Sequence, residues 1–232
     1  MSGRVLVAGA RGGIGASVME ALAAEGCAAY GVDRDDVDVT RPGGAESAVR
    51  QASERLGGLD GIVHAIGMSG RGLGDGPITD CTDQAWTEVH RVNHESVFRL
   101  LRAGIPELAR GGGGSIVVVG SALATTLADD FLTVAYASAK GALVPLVRSA
   151  AYEAARSGVR INIVAPGLVN TPMAQRALGD PDITRSMAAL QPLSRRALEP
   201  AEVAAAILWL LSDAARTMTG AVLPADGGWT LR

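Results

Sequence analysis

Short apolar runs alternate with longer segments of helical period along most of this chain. The runs with strand character lie at 4–8, 28–32, 37–39, 61–65, 115–119, 160–164 and 221–224. Strands that are apolar on both faces belong in parallel sheets, because helices then cover each face. The alternation therefore predicts an α/β fold, with a doubly wound sheet of about seven parallel strands and helices on both faces.

The segments between these runs have helical spacing. Apolar residues recur at every fourth position from Ile14 to Leu22, and Gly26 follows where helix-ending glycines are common. Further helices are predicted at 45–56, 83–108, 137–156 and 199–212. The chain shows no internal repeat or low-complexity tract, so residues 1–232 are expected to form a single domain.

Composition and charge exclude several classes of partner. The net charge is −3 and the 21 basic residues are scattered, which argues against a nucleic-acid partner. Cys27 and Cys81 are far apart and form no CxxC motif, so neither a metal site nor a disulfide framework is expected. No signal peptide is recognisable and no apolar stretch reaches the ~18 residues that span a bilayer. We expect a cytoplasmic protein without a membrane partner that binds small molecules.

A glycine-rich turn joins the first predicted strand to the first predicted helix. It places Gly9, Gly13 and Gly15 where a backbone must turn sharply and approach a pyrophosphate closely. Exposed N–H groups and the positive end of the helix dipole favour such an anion. In a chain with 30 glycines this turn alone is weak evidence, and a purely structural turn is the alternative.

An acidic residue, Asp33, ends the second predicted strand, about 20 residues after the turn. Such a carboxylate can bind the ribose hydroxyls of adenosine, and its charge repels a 2′-phosphate, which favours NAD over NADP. The alternative is a solvated aspartate in the polar loop 33–36. Because Arg34 follows directly and could accept a 2′-phosphate, NADP stays possible.

Tyr136 and Lys140 are spaced as i and i+4 on one predicted helix face. A nearby ammonium group stabilises a phenolate, so we expect Lys140 to lower the pKa of Tyr136 toward the working pH. Tyr136 would then serve as a general acid or base. Such a pair is common in helices and, taken alone, is more often structural than catalytic.

The order of these motifs resembles the short-chain dehydrogenase/reductase family, in its compact branch with a TGxxxGxG turn and a YxxxK site. The resemblance covers nearly the whole chain. The matching segments, in family order, are AGARGGIG at 8–15, Asp33, DVT at 38–40, HAIG at 64–67, Asn93, GS at 120–121, YASAK at 136–140, PGLVNTP at 166–172 and DGG at 226–228. It implies a Rossmann-like NAD(P)-binding domain that transfers hydride between a nicotinamide and a secondary alcohol or ketone.

The resemblance assigns four catalytic positions. Ser121 would hold the substrate oxygen and Tyr136 would exchange its proton. Lys140 would lower the tyrosine pKa and bind the nicotinamide ribose, while Asn93 would support a water-mediated proton path.

The resemblance also implies a set of cofactor contacts along the edge of the sheet. These are Gly9, Arg11, Gly13, Ile14, Gly15, Asp33, Arg34, Asp38, Val39, Ala65, Ile66, Gly67, Tyr136, Lys140, Pro166, Gly167, Val169 and Thr171. The substrate side is expected from the segments 68–78 and 122–132 and from a lid near 171–198. The resemblance further implies a homotetramer or homodimer built on the helices at 83–108 and 137–156.

Some assignments differ from the family pattern or stay open. The usual threonine of the turn is Ala8, and the usual NNAG segment begins with His64, which we interpret as a packing or hydrogen-bonding residue rather than a general base. Ser115 and Ser138 are alternatives to Ser121. In the lid, Met173, Met187, Leu190 and Leu193 either cover an apolar substrate or pack on the domain.

Three functions follow from these features. The first is an NAD-dependent dehydrogenase or ketoreductase of a secondary alcohol, and the second is an NADPH-dependent reductase of a 3-oxoacyl or polyketide-type intermediate. The third is a non-redox or catalytically silent member of the family.

Overall fold

The computed structural model describes residues 3–231, whose strands form one parallel sheet in the order β2-β1-β3-β4-β5-β6. The strands are β1 (Arg4–Ala8), β2 (Ala28–Val32), β3 (Gly61–His64), β4 (Gly114–Val119), β5 (Val159–Pro166) and β6 (Val222–Ala225). A Rossmann-like α/β fold is confirmed, with six strands where about seven were predicted.

The predicted strand at 37–39 is wrong. Its backbone forms hydrogen bonds within the loop instead of with a neighbouring strand. The N–H of Val37 donates to the carbonyl of Asp33 at 2.9 Å, and the N–H of Thr40 donates to Asp38 Oδ1 at 2.9 Å. Val39 is nevertheless buried in the core. The apolar pattern therefore reflects a loop whose side chains pack inward, and β2 becomes the edge strand of the described sheet.

Helices cover both faces of the sheet. Their bounds are α1 (Gly13–Ala24), α2 (Gly44–Leu56), α3 (Asp83–His90), α4 (Ser96–Arg110), α5 (Val134–Gly141), α6 (Leu143–Ala154), α7 (Gln175–Leu178), α8 (Pro181–Leu190) and α9 (Pro200–Leu211). The buried side chains of α2, α4 and α6 form a core with one face of the sheet, and those of α1 and α9 form a second core with the other. Within the described residues, no helix is long and apolar enough to span a membrane.

Two helices predicted as continuous are interrupted. A π-helical turn at Arg91–Glu95 separates α3 from α4. The helix predicted at 137–156 begins earlier, at Val134, and breaks at Ala142. Pro145 explains that break, because it has no N–H to donate to the carbonyl of Gly141. Both interruptions lie beside predicted catalytic positions.

The strand order reverses between β1 and β3, so the chain leaves these neighbouring strands toward opposite faces. Open α/β sheets bind ligands in the crevice that such a reversal creates at the carboxyl ends of the strands. The glycine turn follows β1, and the segment 65–67 follows β3. The topology thus brings two predicted cofactor segments to one place.

Candidate active site

A cavity of about 560 Å³ opens at the carboxyl ends of the strands. The predicted site residues that line it are Gly13, Ile14, Ala65, Ile66, Gly67, Ser121, Tyr136, Lys140, Pro166, Gly167, Val169 and Thr171. The predicted residues outside its lining are Gly9, Arg11, Gly15, Asp33, Arg34, Asp38, Val39 and Asn93. The structure therefore gathers the expected catalytic side chains, apart from Asn93, around one space.

The glycine turn has no room for side chains. Gly9 has φ +86°, and a Cβ there would lie 2.8 Å from the carbonyl carbon and oxygen of Ala65. A Cβ on Gly15 would lie 2.0 Å from the Gly9 oxygen, and one on Gly13 would lie 2.6 Å from Thr171 Cγ2. Because α1 begins at Gly13, this bare backbone sits at the positive end of a helix. The cradle fits a pyrophosphate, which needs close backbone approach.

Asp33 is held in position beside this turn. Its Oδ2 accepts the N–H of Arg11 at 3.0 Å and its Oδ1 accepts the N–H of Arg34 at 2.8 Å. The Arg11 guanidinium binds both oxygens of Asp36, at 2.7 and 2.8 Å, and lies 3.5 Å from Asp35. The positive charge of Arg11 is therefore already balanced, whereas Arg34 makes no ion pair within residues 3–231.

Asp38 and Val39 lie in the loop between β2 and α2 rather than in the cavity lining. Asp38 Oδ1 accepts the backbone N–H of Thr40 at 2.9 Å and its hydroxyl at 2.6 Å, and Asp38 Oδ2 pairs with Arg41 at 3.4 Å. Both side chains thereby stabilise the loop that replaces the expected strand.

Lys140 and Asn93 approach each other beside Gly67. Lys140 is 3% exposed and its Nζ donates to the carbonyl of Val119 at 2.8 Å. A Cβ on Gly67 would lie 3.1 Å from Asn93 Oδ1 and 3.7 Å from Lys140 Nζ. Burial lowers the pKa of Lys140 to about 8. The ammonium form therefore still predominates at neutral pH.

Asn93 lies in the π-helical turn and uses its amide on backbone groups. Its Nδ2 donates to the carbonyls of Met68 and Val89, both at 3.0 Å, and its Oδ1 accepts the N–H of Met68 at 3.1 Å. This side chain ties the interrupted helix to the segment that follows β3.

Tyr136 lies in α5, one turn before Lys140, and the Lys140 Nζ is 6.0 Å from its ring centroid. Burial raises the pKa of Tyr136 above its ordinary value, while its hydrogen bond with Ser121 acts in the opposite direction. The expected lowering by Lys140 is not found, because desolvation of the phenolate outweighs the other influences. The phenol is neutral at physiological pH.

Ser121 follows β4 and begins a short 3₁₀ turn, where its Oγ accepts the N–H of Leu123 at 3.2 Å. The alternative serines lie outside the cavity lining. Ser115 Oγ donates to the carbonyl of Leu210 at 3.0 Å, and Ser138 Oγ donates to that of Ala135 at 3.1 Å. Of the three, only Ser121 shares a cavity with Tyr136.

Asp75 is a buried residue that the sequence did not single out. Its Oδ1 accepts the N–H of Ala135 at 2.9 Å and its Oδ2 accepts that of Tyr136 at 3.0 Å. No local signal could reveal this, because the two segments are about 60 residues apart and meet only in the folded chain.

Aromatic and basic residues complete the cavity. Trp229 packs edge-on against Phe131, with ring centroids 5.0 Å apart and planes at 73°. Two arginines, Arg71 and Arg176, also line the space. The sequence patterns had placed Arg71, Phe131 and Arg176 only within broad substrate-side segments, and they gave no indication of Trp229.

Asp226 fixes the turn that precedes Trp229. Its carboxylate accepts the N–H groups of Gly228 and Thr230, both at 2.9 Å. The predicted DGG segment therefore contributes to the cavity by holding the chain that carries this indole.

The predicted lid side chains behave differently from one another. Met173 lines the cavity, whereas Met187 is buried in a small cluster with Ile183, against which Leu190 packs. Leu193 is 86% exposed. Two of these four apolar side chains therefore pack in the cluster, one lines the cavity and one faces solvent.

A glycine cradle at the switch point of a Rossmann-like sheet, next to a cavity lined by a half-buried Tyr136 and a buried Lys140, defines a class of nicotinamide-dependent oxidoreductases. A family model described as Enoyl-(Acyl carrier protein) reductase matches residues 16–230. The chain belongs to the short-chain dehydrogenase/reductase family and is an NAD(P)-dependent oxidoreductase that acts on CH–OH groups.

Relatives and solved structures agree with this assignment. The chain is 34% identical to cis-4-hydroxycyclohexanecarboxylate dehydrogenase from Sinomonas cyclohexanicum, over 97% of this chain and 95% of the relative. It is 33% identical to the L-tagatose-forming galactitol 2-dehydrogenase from Cereibacter sphaeroides, over 97% and 94%. The crystal structure of the TT0495 protein from Thermus thermophilus matches with a TM-score of 0.90 and 29% identity, over 99% of both chains.

Proposed function

We propose that the enzyme interconverts a secondary alcohol and its ketone with NAD, and that Tyr136 is the proton donor and acceptor. The placement of Ser121, Tyr136 and Lys140 around one cavity carries this proposal. The similarity to dehydrogenases of a cyclohexanol and of a polyol supports an alicyclic or polyhydroxylated secondary alcohol as substrate.

The protein groups have complementary parts in this reaction. Ser121 Oγ and the Tyr136 hydroxyl bind the substrate oxygen, and the neutral phenol donates its proton to a ketone that is being reduced. In the oxidation direction Tyr136 must first lose its proton, so the alcohol reaction is favoured at higher pH. A nicotinamide cofactor, when bound, would supply the hydride acceptor or donor. Lys140 would act by binding the nicotinamide ribose rather than by lowering the pKa of Tyr136, while Asn93 positions the backbone beside Lys140.

The residues present fit a dinucleotide. The backbone of the glycine turn would hold the pyrophosphate, Asp33 the adenosine ribose, and Lys140 with Tyr136 the nicotinamide ribose. The carboxylates of Asp33, Asp35 and Asp36 lie together around Arg11, whose charge they balance, and the adenosine end would lie beside them. This charge balance disfavours a 2′-phosphate and supports NAD.

A second candidate is NADPH-dependent reduction of a 3-oxoacyl or polyketide-type intermediate. The exposed Arg34 favours it, because its guanidinium pairs with no carboxylate in the described part of the chain. The similarity to a 3-oxoacyl-[acyl-carrier-protein] reductase from Vibrio cholerae, which is 30% identical to the chain, also supports it.

The remaining expectations stay proposals. A homotetramer or homodimer is supported by exposed Phe98 and Tyr152 on α4 and α6, the helices expected at the interface. Residues 171–198 are proposed as the lid of a single domain, and a cytoplasmic location stays a prediction.

The test combines cofactor binding with turnover. NADH and NADPH are titrated against the protein by fluorescence, and alicyclic and polyol substrates are then assayed by nicotinamide absorbance. We expect tighter NADH binding and a loss of about 10²- to 10⁴-fold in kcat for Tyr136→Phe with cofactor affinity retained. Tyr152→Phe is the control, since that ring is 76% exposed outside the cavity. An active Tyr136→Phe variant would show that another group moves the proton.

A further inference from the structure

Arg71 and Arg176 both line the cavity and converge on one carbonyl oxygen, that of Asp130. Arg71 lies in the loop after β3, and its Nη2 donates to the carbonyl of Asp130 at 2.9 Å. Arg176 lies in α7, and its Nη2 reaches the same oxygen at 3.4 Å. Arg71 Nη2 also lies 3.4 Å from the carbonyl of Leu132. Segments from three parts of the chain thus bring two guanidinium groups together.

In the described structure, this pair lacks the carboxylate partner that Arg11, Arg91 and Arg196 have. Arg11, Arg91 and Arg196 each pair with a carboxylate within 2.8 Å. Neither Arg71 nor Arg176 has a carboxylate within 4 Å among residues 3–231. Burial lowers the pKa of Arg71, the charge of Arg176 lowers it further, and Asp75 and Asp130 act in the opposite direction. Two like charges held together in a cavity are repulsive, and an anion bound between them would relieve that repulsion.

A second observation comes from Trp229. This residue is 2% exposed, lines the same cavity, and its Nε1–H has no hydrogen-bond acceptor within the described part of the chain. A buried indole N–H normally finds an acceptor. The neighbouring lining is apolar, with Phe131, Leu168 and Ala177. The cavity therefore combines two guanidinium groups without a carboxylate partner among residues 3–231 with walls that suit a hydrocarbon body.

We propose that the substrate is a hydroxy acid or oxo acid with an apolar body, whose carboxylate binds the guanidinium groups of Arg71 and Arg176. The inference rests on the proposed function, because it deepens the substrate class of the same cavity. Guanidinium groups bind carboxylates through paired, charge-assisted hydrogen bonds. The alcohol carbon would then be presented to Ser121 and Tyr136, with the carboxylate selecting acids over neutral alcohols.

The kinetic test compares matched substrates in Arg71→Gln and Arg176→Gln variants. 4-Hydroxycyclohexanecarboxylate and the neutral 4-methylcyclohexanol differ in the charged group and share the ring alcohol. We expect the KM for the acid to rise about 10- to 100-fold in each variant, while the KM for the neutral alcohol stays unchanged. Arg185→Gln is the control, because it removes a charge from α8 without lining the cavity.

A binding measurement separates this inference from the proposed function. Cyclohexanecarboxylate, which has no alcohol to oxidise, is titrated by calorimetry into the protein with NAD. Binding that is lost in both arginine variants, with cyclohexanecarboxamide not binding, supports the site even if the tested alcohols are not turned over. Equal affinity for cyclohexanecarboxylate and cyclohexanecarboxamide overturns the inference. So does a fall in NADH affinity in the arginine variants that accompanies a rise in KM for both the acid and the neutral alcohol. Alcohol oxidation could still proceed in that case, so the proposed function would stand.

Discussion

The carboxylate of Asp75 accepts the backbone N–H of Tyr136, with Oδ2 3.0 Å from the nitrogen. The other oxygen accepts the N–H of Ala135, so both hydrogen bonds fall in the first turn of α5. A carboxylate at this position also faces the positive end of the helix dipole. Asp75 thereby connects the loop after β3 to the helix that carries Tyr136 and Lys140.

Replacing Asp75 with alanine should lower both stability and turnover. Two N–H groups would lose their acceptor, and we expect the free energy of unfolding to fall by about 2 kcal/mol. The phenol would be less well positioned, so kcat should fall more than the affinity for NADH. Urea unfolding and steady-state kinetics measure both effects. Asp80→Ala is the control, because Asp80 is exposed in the same loop; equal losses in the two variants would contradict a positioning role.

Ser121→Ala should reduce kcat by about 100-fold, since it removes one hydrogen bond to the reacting oxygen. The pKa of Tyr136 should rise further, because the hydrogen bond with Ser121 lowers it. The pH at which alcohol oxidation becomes maximal should therefore move upward. Ser138→Ala provides the matched comparison, because that hydroxyl bonds to the Ala135 carbonyl outside the cavity. A similar loss in Ser138→Ala would point to a different substrate-binding hydroxyl.

Gly15→Ala should abolish cofactor binding. The new Cβ would lie 2.0 Å from the Gly9 oxygen, which forces the turn to open and moves the N–H groups of the cradle. NADH fluorescence titration should show no saturable binding, and the melting temperature should fall. Gly76→Ala tests the specificity of this effect, because a Cβ there meets nothing within 4 Å. Retained NADH affinity in Gly15→Ala would show that the cofactor phosphates bind elsewhere.

Much of this fold was predictable because its signals are local. Strand bounds such as 4–8 and 28–32 agree with the structure, since each is a short apolar run between turn residues. The run at 37–39 failed for an equally physical reason. Its side chains pack in the core as strand residues would, but its backbone donors bond within the loop instead of to β2.

The cavity was predictable only where sequence motifs define it. Ser121, Tyr136 and Lys140 belong to recognisable segments, and they line one space. Asp75 and Arg176 carry no such signal, because their contacts depend on segments that meet through tertiary folding. The pKa of Tyr136 was mispredicted for the same reason, since helix spacing reveals a nearby ammonium but says nothing about desolvation.

His64 should make the protein sensitive to acid. It is buried beside β4, and its Nε2 lies 2.8 Å from Ser96 Oγ. Because the Ser96 hydroxyl donates to the carbonyl of Val92, the Nε2 must carry the proton and donate to Ser96. The Nδ1 therefore bears the lone pair, and it has no hydrogen-bond partner among residues 3–231. Burial, followed by the charge of Lys140, lowers the pKa of His64 to about 3.

The direction of the effect follows from this depressed pKa. Between about pH 6.5, where an unfolded histidine titrates, and the folded value of about 3, the unfolded chain binds more protons than the native protein. The contribution of His64 is thus complete above pH 6.5 and is lost as the pH falls through this window. Each unit of pKa difference is worth about 1.4 kcal/mol, so the total loss amounts to several kcal/mol.

Urea unfolding of the wild type and His64→Gln at a series of pH values between about 4 and 7.5 measures this loss. Glutamine does not titrate and keeps an amide N–H that can donate to Ser96. The free energy of unfolding of the wild type should fall more steeply toward acid than that of the variant. Parallel curves would mean that His64 takes up its proton over the same pH range in the folded and unfolded protein, which would contradict a depressed pKa in the folded state.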